Sequence, residues 1–136
     1  MDNSVNRLQA VFFYGLYMDP EILRLKGVKP RNPRIATVSD YSLRIGKMTT
    51  LLRAEGFNVN GIVYSLTHSE IEILYSKSGL DMYVPEAILS ILSTGEIVAA
   101  LTCNLLVPPD EDENNSDYRN KLLACMKKLN VPTTNM

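Results

Sequence analysis

The sequence has few of the residues that build metal centres and disulfide frameworks. Tryptophan is absent, and the 136 residues include one histidine and two cysteines. Cys103 and Cys125 are far apart and lack the spacing of a metal-binding motif, so we expect both thiols to fill the core, as free cysteines commonly do. These shortages exclude a zinc-finger-like or disulfide-stapled fold, and we expect no metal and no other cofactor.

An excess of charge of one sign is also missing. Fourteen basic residues face fifteen acidic ones, which gives a formal net charge of -1 and no reason to expect nucleic acid or a membrane as partner. No apolar run approaches the length of a membrane span, and a basic segment followed by an apolar leader is absent from the start. We therefore expect one cytoplasmic domain over residues 1–136, with frayed ends at 1–9 and 131–136.

The stretch from Val11 to Gly27 predicts a buried strand, a tight loop and a helix. Asp19 suits the N-cap of that helix and Pro20 its first position, where no backbone donor is needed. The intervening loop, 15–18, is a place where backbone amides converge, and such a place can hold a small polar or anionic ligand. Asp19 competes for the same donors.

Further along the chain, hydrophobic periodicity predicts more strands and two more helices. Thr67 and Glu70 fit a capping box, Ser116 fits the cap of the last helix, and Gly61 marks a point of close backbone approach. The stretch 46–57 is ambiguous, with 54–56 resembling a turn. The predicted segments are a loop at 28–34, strands at 35–45 and 59–66, and a hairpin of 82–92 with 97–107. Five or six strands with three short helices indicate an α+β domain on a mixed or antiparallel sheet.

Several short motifs in this order resemble a known family. They are the aromatic strand with the Tyr14-Gly15 loop, Asp40–Arg44 in the second long strand, Gly61–Thr67 before a short helix, and Ser116–Tyr118 at the start of the last helix. Together they cover nearly the whole chain, which resembles the γ-glutamylcyclotransferase-like (AIG2-like) family. The resemblance implies an α+β fold with a small mixed β-barrel and a few flanking short helices.

The resemblance also implies a chemistry. In the family's enzymes, which are classed as transferases or lyases, the α-amine of a γ-glutamyl group attacks its own side-chain carbonyl and releases 5-oxoproline and an amine. The loop's backbone N–H groups hold an oxygen of the substrate, an oxyanion-type role. The implied partner is a small γ-glutamyl or amino-acid amide ligand, bound by a monomer or homodimer. The implied substrate-binding residues are Tyr14, Gly15, Leu16, Tyr17, Met18 and Tyr83.

Two features depart from the family pattern. Leu16 and Tyr17 stand where a small hydroxyl residue and often Asn are found, and the family's catalytic Glu falls on Ser78, or on Lys77 by another count. A serine hydroxyl cannot act as an unaided base. Glu86, in an apolar strand, is our candidate replacement. It faces solvent, projects into a cavity with a raised pKa, or pairs with a base.

Three functional hypotheses follow from the sequence. The chain is an enzyme of the family that uses Glu86 or another acid such as Asp81, a catalytically inactive binding module that kept the pocket, or a structural subunit whose apolar hairpin pairs with a partner. Tyr14 and Tyr83 line a pocket or pack in the core. The single histidine and the basic residues after the first helix are expected at the surface: His68, Lys26, Lys29, Arg31 and Arg34.

Overall fold

A computed structural model describes residues 4, 6–76, 80, 82–110 and 112–133 of the chain. These residues form five strands, three α-helices and a 3₁₀ turn, in the order β1 (Leu8–Phe13), the 3₁₀ turn (Leu16–Met18), α1 (Pro20–Leu25), β2 (Arg31–Ile45), β3 (Thr49–Thr67), α2 (His68–Tyr75), β4 (Tyr83–Leu92), β5 (Ile97–Leu105) and α3 (Ser116–Lys128). Among the described residues, no helix has the length and apolar character needed to cross a membrane.

The five strands close into a barrel with the order β1-β3-β2-β4-β5. Neighbouring strands are antiparallel except for β1 and β5, which run parallel where Val11 lies opposite Leu101. The barrel is therefore mixed, and its short helices flank it. This confirms the α+β class that the sequence pattern predicted and the small mixed barrel that the family resemblance implied.

Apolar side chains form two clusters that the barrel wall separates. One is built from the strands and from Tyr14, which follows β1, whereas the other also contains side chains of all three α-helices. Phe12 belongs to the first cluster and Phe13 to the second, because successive residues of a strand point to opposite faces. Both clusters therefore depend on the position of β1. Met18 and Val131 are buried in the helix-containing cluster, so the core continues into the predicted frayed C-terminal end.

The hairpin of β2 and β3 is longer and more continuous than predicted. β2 begins at Arg31, inside the predicted loop, and the predicted turn at 54–56 is wrong because β3 runs through it. The pairing shifts register between Ser39 and Tyr41. Asp40 and Gly56 have positive φ angles there, and the Gly56 amide donates to Asp40 Oδ1 at 3.0 Å. The glycine and aspartate signals thus mark a β-bulge.

The helix starts follow the sequence signals in two of three cases. Asp19 Oδ1 accepts from the Glu21 amide at 2.9 Å, which confirms the first N-cap. Thr67 and Glu70 form the predicted capping box at α2. The Ser116 prediction is wrong, because the side chain of Asn115 accepts from the Tyr118 amide at 3.1 Å and leaves Ser116 as the first residue of α3.

Glu70 does more than cap α2. Its carboxylate also accepts from the Lys29 amide at 2.7 Å and from Arg31 Nη1 at 2.7 Å, so it ties α2 to the segment that enters β2. Burial alone would raise the pKa of the Glu70 carboxyl, but the hydrogen bonds from Arg31, Thr67 and Lys29 outweigh burial and lower the pKa to about 2. The charged form is therefore the one that stabilises the fold.

We expect Glu70→Gln to lower the free energy of unfolding at pH 7 by on the order of 2 kcal/mol, because charge-assisted hydrogen bonds are lost. The native pKa lies below its ordinary value, so the carboxylate's contribution is complete above about pH 5 and is lost as the pH falls toward 2. Denaturant unfolding at several pH values measures this difference. Glu72→Gln, at an exposed site on the same helix, is the control and should change stability by less than about 0.5 kcal/mol. A wild-type-to-Glu70→Gln difference that stays constant down to pH 2 would contradict the assignment.

Candidate functional site

A cavity of about 260 Å³ opens beside the loop that follows β1. The loop, the start of β3, the end of α2, the start of β4 and the first turn of α3 all contribute to it. Its walls are mostly aromatic, and its described lining residues are Phe12, Phe13, Tyr14, Gly15, Leu16, Tyr17, Lys47, Met48, Thr49, Tyr75, Leu80, Tyr83 and Tyr118.

The loop presents part of its backbone to this cavity. The 3₁₀ turn uses the Met18 and Asp19 amides, which donate to Gly15 O at 3.0 Å and to Leu16 O at 3.1 Å. The Leu16 amide donates to the Tyr118 hydroxyl at 3.3 Å. The Gly15 and Tyr17 amides take no part in these bonds. The bend therefore has an opening beside it, although a tyrosine from α3 already engages one of its donors.

A chain of ring contacts forms one wall of the cavity. Phe13 contacts Tyr17 edge to face at a centroid distance of 6.1 Å, Tyr17 contacts Tyr75 at 5.9 Å, and Tyr75 contacts Tyr83 at 5.7 Å. Such pairs contribute on the order of 0.5–1.5 kcal/mol each beyond their buried area. Because the four rings come from β1, the 3₁₀ turn, α2 and β4, their contacts hold four elements in register around the cavity.

Two tyrosine hydroxyls are anchored to backbone carbonyls. Tyr14 Oη donates to Cys103 O at 2.6 Å, and Tyr83 Oη donates to Thr49 O at 2.5 Å. Burial raises the pKa of Tyr14 and of Tyr75 well above the ordinary value, and it raises the pKa of Tyr83 to about 12. These phenols are neutral at physiological pH, so none of them is poised to act as a base.

Lys47 is the charged group among the described lining residues, which include no Asp or Glu. Its side chain is exposed, and the turn that carries it is fastened to the segment after β5. Arg44 Nη1 donates to Pro109 O at 2.9 Å, and Asn115 Nδ2 donates to Gly46 O at 3.1 Å. The site therefore combines neutral aromatic walls with one cation at a fixed part of the backbone.

The structure brings most of the predicted binding residues together. Tyr14, Gly15, Leu16, Tyr17 and Tyr83 line the cavity, whereas Met18 is fully buried in the core and does not. Met18 is held there through its carbonyl, which accepts from the Tyr64 hydroxyl at 2.7 Å. That these five residues bind a ligand stays a prediction.

Glu86 lies outside the cavity. It is exposed, and its Oε1 accepts from Asn104 Nδ2 at 3.1 Å. Tyr83 and Glu86 are three residues apart on β4, so they point to opposite faces of the strand, and the cavity is on the Tyr83 side. Of the three alternatives for Glu86, the one in which it projects into a cavity is thus wrong, and the solvent-facing one describes it. Lys77, Ser78 and Asp81 lie outside the described residues.

The cysteines, the single histidine and Arg31 lie outside the cavity, in contact with other parts of the fold. Cys103 and Cys125 are buried, as predicted. The side chain of His68 is partly buried and hydrogen-bonds with that of Gln9, in β1, which begins inside the predicted frayed stretch. Arg31 is paired with Glu70 rather than solvated. Among the described residues, no group of three or more His, Cys, Asp or Glu side chains could hold a metal ion.

Sequence reasoning missed Lys47, Thr49, Tyr75 and Tyr118 as cavity residues. Lys47 and Thr49 belong to the ambiguous stretch, and the periodicity of α2 and α3 predicted Tyr75 and Tyr118 only as members of apolar helix faces. No local pattern indicates that these four residues meet at the loop, because long-range packing brings them there.

Solved structures with the same architecture are known, whereas no protein-family model and no curated protein matches the chain. The chain is similar to a structure named gamma-glutamyl cyclotransferase, with a TM-score of 0.75, 17% identity and coverage of 89% of this chain and 79% of that one. It is also similar to an AIG2-like protein from Mus musculus, with a TM-score of 0.60, 15% identity and coverage of 96% and 97%. A protein from Arabidopsis thaliana gives a TM-score of 0.69, 20% identity and coverage of 94% and 91%.

The closed five-stranded barrel with a cavity beside its first loop defines a small α+β barrel class. The similarities identify the particular fold within that class. The chain has the γ-glutamylcyclotransferase-like fold, which AIG2-like proteins share. Identities of this size show the fold, and the activity has to be argued from the site.

The contact between Gly15 and Tyr118 makes a sharp test of the site's geometry. A Cβ atom at Gly15 would lie 2.5 Å from the Tyr118 hydroxyl and 3.9 Å from the ring carbon that bears it. We expect Gly15→Ala to cost about 1–3 kcal/mol of stability through overpacking. In a Tyr118→Phe background the same change should cost less than about 1 kcal/mol, because the hydroxyl is gone. Denaturant unfolding of both single variants and the double variant measures the coupling, and additive effects would contradict the close contact.

Proposed function

We propose that this chain is a small-molecule binding protein whose cavity holds a γ-glutamyl amine, a γ-glutamyl amino acid or a similar amino-acid amide. The observation that carries the proposal is the aromatic cavity of about 260 Å³ beside the Gly15 loop. Its volume is slightly below the range typical of sites for drug-sized ligands, which suits a guest of amino-acid or dipeptide size. One solved structure of this fold is named gamma-glutamyl cyclotransferase, which supports the ligand class by analogy.

The lining groups suit the two charges of a zwitterionic guest. Backbone amides of the loop, at Gly15 and Tyr17, are donors suited to a carboxylate or carbonyl oxygen. Tyrosine rings such as Tyr17 and Tyr83 attract an ammonium group through their negative faces. We propose that these residues, with Tyr14 and Leu16 as apolar wall, form the ligand site.

The same lining groups are poorly suited to turnover. Closing 5-oxoproline requires a base that removes a proton from the α-ammonium and an acid that protonates the leaving nitrogen. Among the described lining residues there is no carboxylate, the tyrosines are neutral, and Lys47 is a cation. By the resemblance, the family's Glu position falls on Ser78, or on Lys77 by another count, and neither residue is a carboxylate. We therefore favour a catalytically inactive binding module over a cyclotransferase.

Thermal unfolding with a panel of γ-glutamyl compounds tests binding, and mass detection of 5-oxoproline tests turnover. A ligand at about 100 times its Kd adds about 2.7 kcal/mol of stability, which should raise Tm by several degrees. We expect this rise without product above a protein-free blank. A flat Tm across the panel would refute the binding role, and clear 5-oxoproline production would establish the enzyme instead.

A pair of variants ties the binding to the cavity. Tyr17→Leu keeps apolar volume but removes a ring, so we expect it to reduce the ligand-induced rise in Tm. Phe57→Leu removes a half-exposed ring of β3 that does not line the cavity, and we expect it to leave the rise unchanged. Equal effects of the two variants would argue for binding elsewhere.

A further inference from the structure

We infer that Lys47 and Thr49 form a carboxylate-selecting edge of the cavity, which makes the chain prefer guests that carry an extra negative charge. The inference rests on the proposed function, because that function places the guest in this cavity. The inference goes further by assigning selectivity to two residues that the family resemblance did not indicate. The selected chemistry is a γ-glutamyl compound whose amine part bears a carboxylate, over one whose amine part is uncharged.

Thr49 supplies the first observation. The residue is 4% exposed and lines the cavity, and its Oγ1 has no hydrogen-bond partner in the described part of the chain. Burial raises the pKa of the Tyr118 phenol and the nearby Thr49 hydroxyl partly offsets that rise, but the two hydroxyls are not in hydrogen-bonding geometry. A buried hydroxyl without a partner destabilises a fold, so a polar guest is the natural partner for it.

The backbone of Thr49 is held in place independently of its side chain. Its carbonyl accepts from the Tyr83 hydroxyl at 2.5 Å. A tyrosine of the cavity wall thus fixes the position of the residue while its own hydroxyl stays unused. This is the preorganisation that a binding site requires.

Lys47 supplies the second observation. It lies two residues before Thr49, is exposed at the cavity, and forms no ion pair with any described residue. Its backbone amide donates to Glu113 Oε2 at 3.2 Å, and the adjacent Gly46 packs against Pro109 and Glu113. The turn is therefore anchored on its outer side, while the ammonium is available to a guest.

The charges of the cavity wall indicate which charge the guest should carry. Because no Asp or Glu stands among the described lining residues, a carboxylate entering the cavity meets a cation and a hydroxyl donor without facing an acidic side chain of the wall. Hydrogen bonds that involve an ionised group are roughly twice as strong as neutral ones. The exposed Glu113 carboxylate accepts from the Lys47 amide and is not among the described lining residues.

The experiment compares two ligands that differ by one carboxylate, γ-glutamyl-alanine and γ-glutamyl-ethylamide. Calorimetric titration at low salt should show that the wild-type chain binds γ-glutamyl-alanine about tenfold more tightly, as one charge-assisted hydrogen bond predicts. Lys47→Gln should abolish this preference by weakening γ-glutamyl-alanine alone. Lys121→Gln removes the same charge from an exposed position of α3 and should keep the preference.

Thr49→Val separates a binding role from a structural one. The variant removes the unpartnered hydroxyl, so we expect Tm of the free protein to stay level or rise while the Kd for γ-glutamyl-alanine weakens about tenfold. A lower Tm with unchanged affinity would mean that the hydroxyl serves the fold. That result would overturn the assignment of Thr49.

The remaining outcomes are distinct for the two proposals. If the wild-type chain binds both ligands equally, or if Lys47→Gln weakens both equally, the selective edge is refuted and the binding function stands. If neither ligand binds, the proposed function fails. In that case a titration with N-acetyl-alanine, followed by NMR, still tests the selective edge. Chemical-shift changes at Thr49 that disappear in Lys47→Gln would support the edge. The absence of such changes in the wild-type chain would refute it.

Discussion

The close approach of β3 to β1 is the constraint on which the rest of the structure depends. Gly61 lies in β3 opposite the end of β1, where a Cβ atom would collide with the Phe13 carbonyl and the Phe12 ring. Its backbone conformation is open to other residues, so the requirement is for space alone. Phe13 is followed directly by the Gly15 loop. A side chain at position 61 would therefore displace the loop that lines the cavity. The glycine therefore links the closure of the barrel to the geometry of the site.

Aromatic packing, rather than charge, then shapes the cavity. Rings from β1, the 3₁₀ turn, α2 and β4 contact one another in series, and the hydroxyls of Tyr14 and Tyr83 donate to backbone carbonyls. Such a wall keeps its hydrogen bonds internal and presents rings to the interior. Under the proposed function, discrimination between guests falls to the few polar groups that remain: the loop amides, Thr49 and Lys47.

The sequence predicted the parts of this fold that local chemistry determines. Asp19 and the Thr67–Glu70 pair act within one helical turn, so their capping roles were visible in the chain itself. The N-cap of α3 is Asn115 and not the predicted Ser116. Both neighbouring side chains can accept the capping hydrogen bond, and tertiary position decides between them. The sequence predicts a turn at 54–56, where Gly56 instead forms a β-bulge opposite Asp40, because glycine favours both structures. The strand-to-strand bond that distinguishes them joins residues far apart in sequence.

The candidate site was predictable on the loop side and, through the family resemblance, at Tyr83. The strand, Tyr14-Gly15 loop and helix are contiguous, whereas Lys47, Tyr75 and Tyr118 reach the cavity from three separate elements. Glu86 shows the limit of strand alternation. Tyr83 and Glu86 point to opposite faces of β4, but Phe12 and Phe13 also point to opposite faces of β1 and both line the cavity. What separates Glu86 from the cavity is its exposed position and its bond with Asn104, and neither is visible in the sequence.

The proposed complex also gives a physical reason why binding and cyclisation oppose each other in this cavity. Tyrosine rings that attract an ammonium group stabilise its charged form, and stabilising the charged form raises the pKa of a bound amine. The amine must lose that proton before it can attack a carbonyl carbon. A catalytic site therefore needs a base strong enough to offset the stabilisation that the rings provide. In the described part of this cavity the rings are present and the phenols stay protonated, so the lining groups that hold the guest favour its unreactive form.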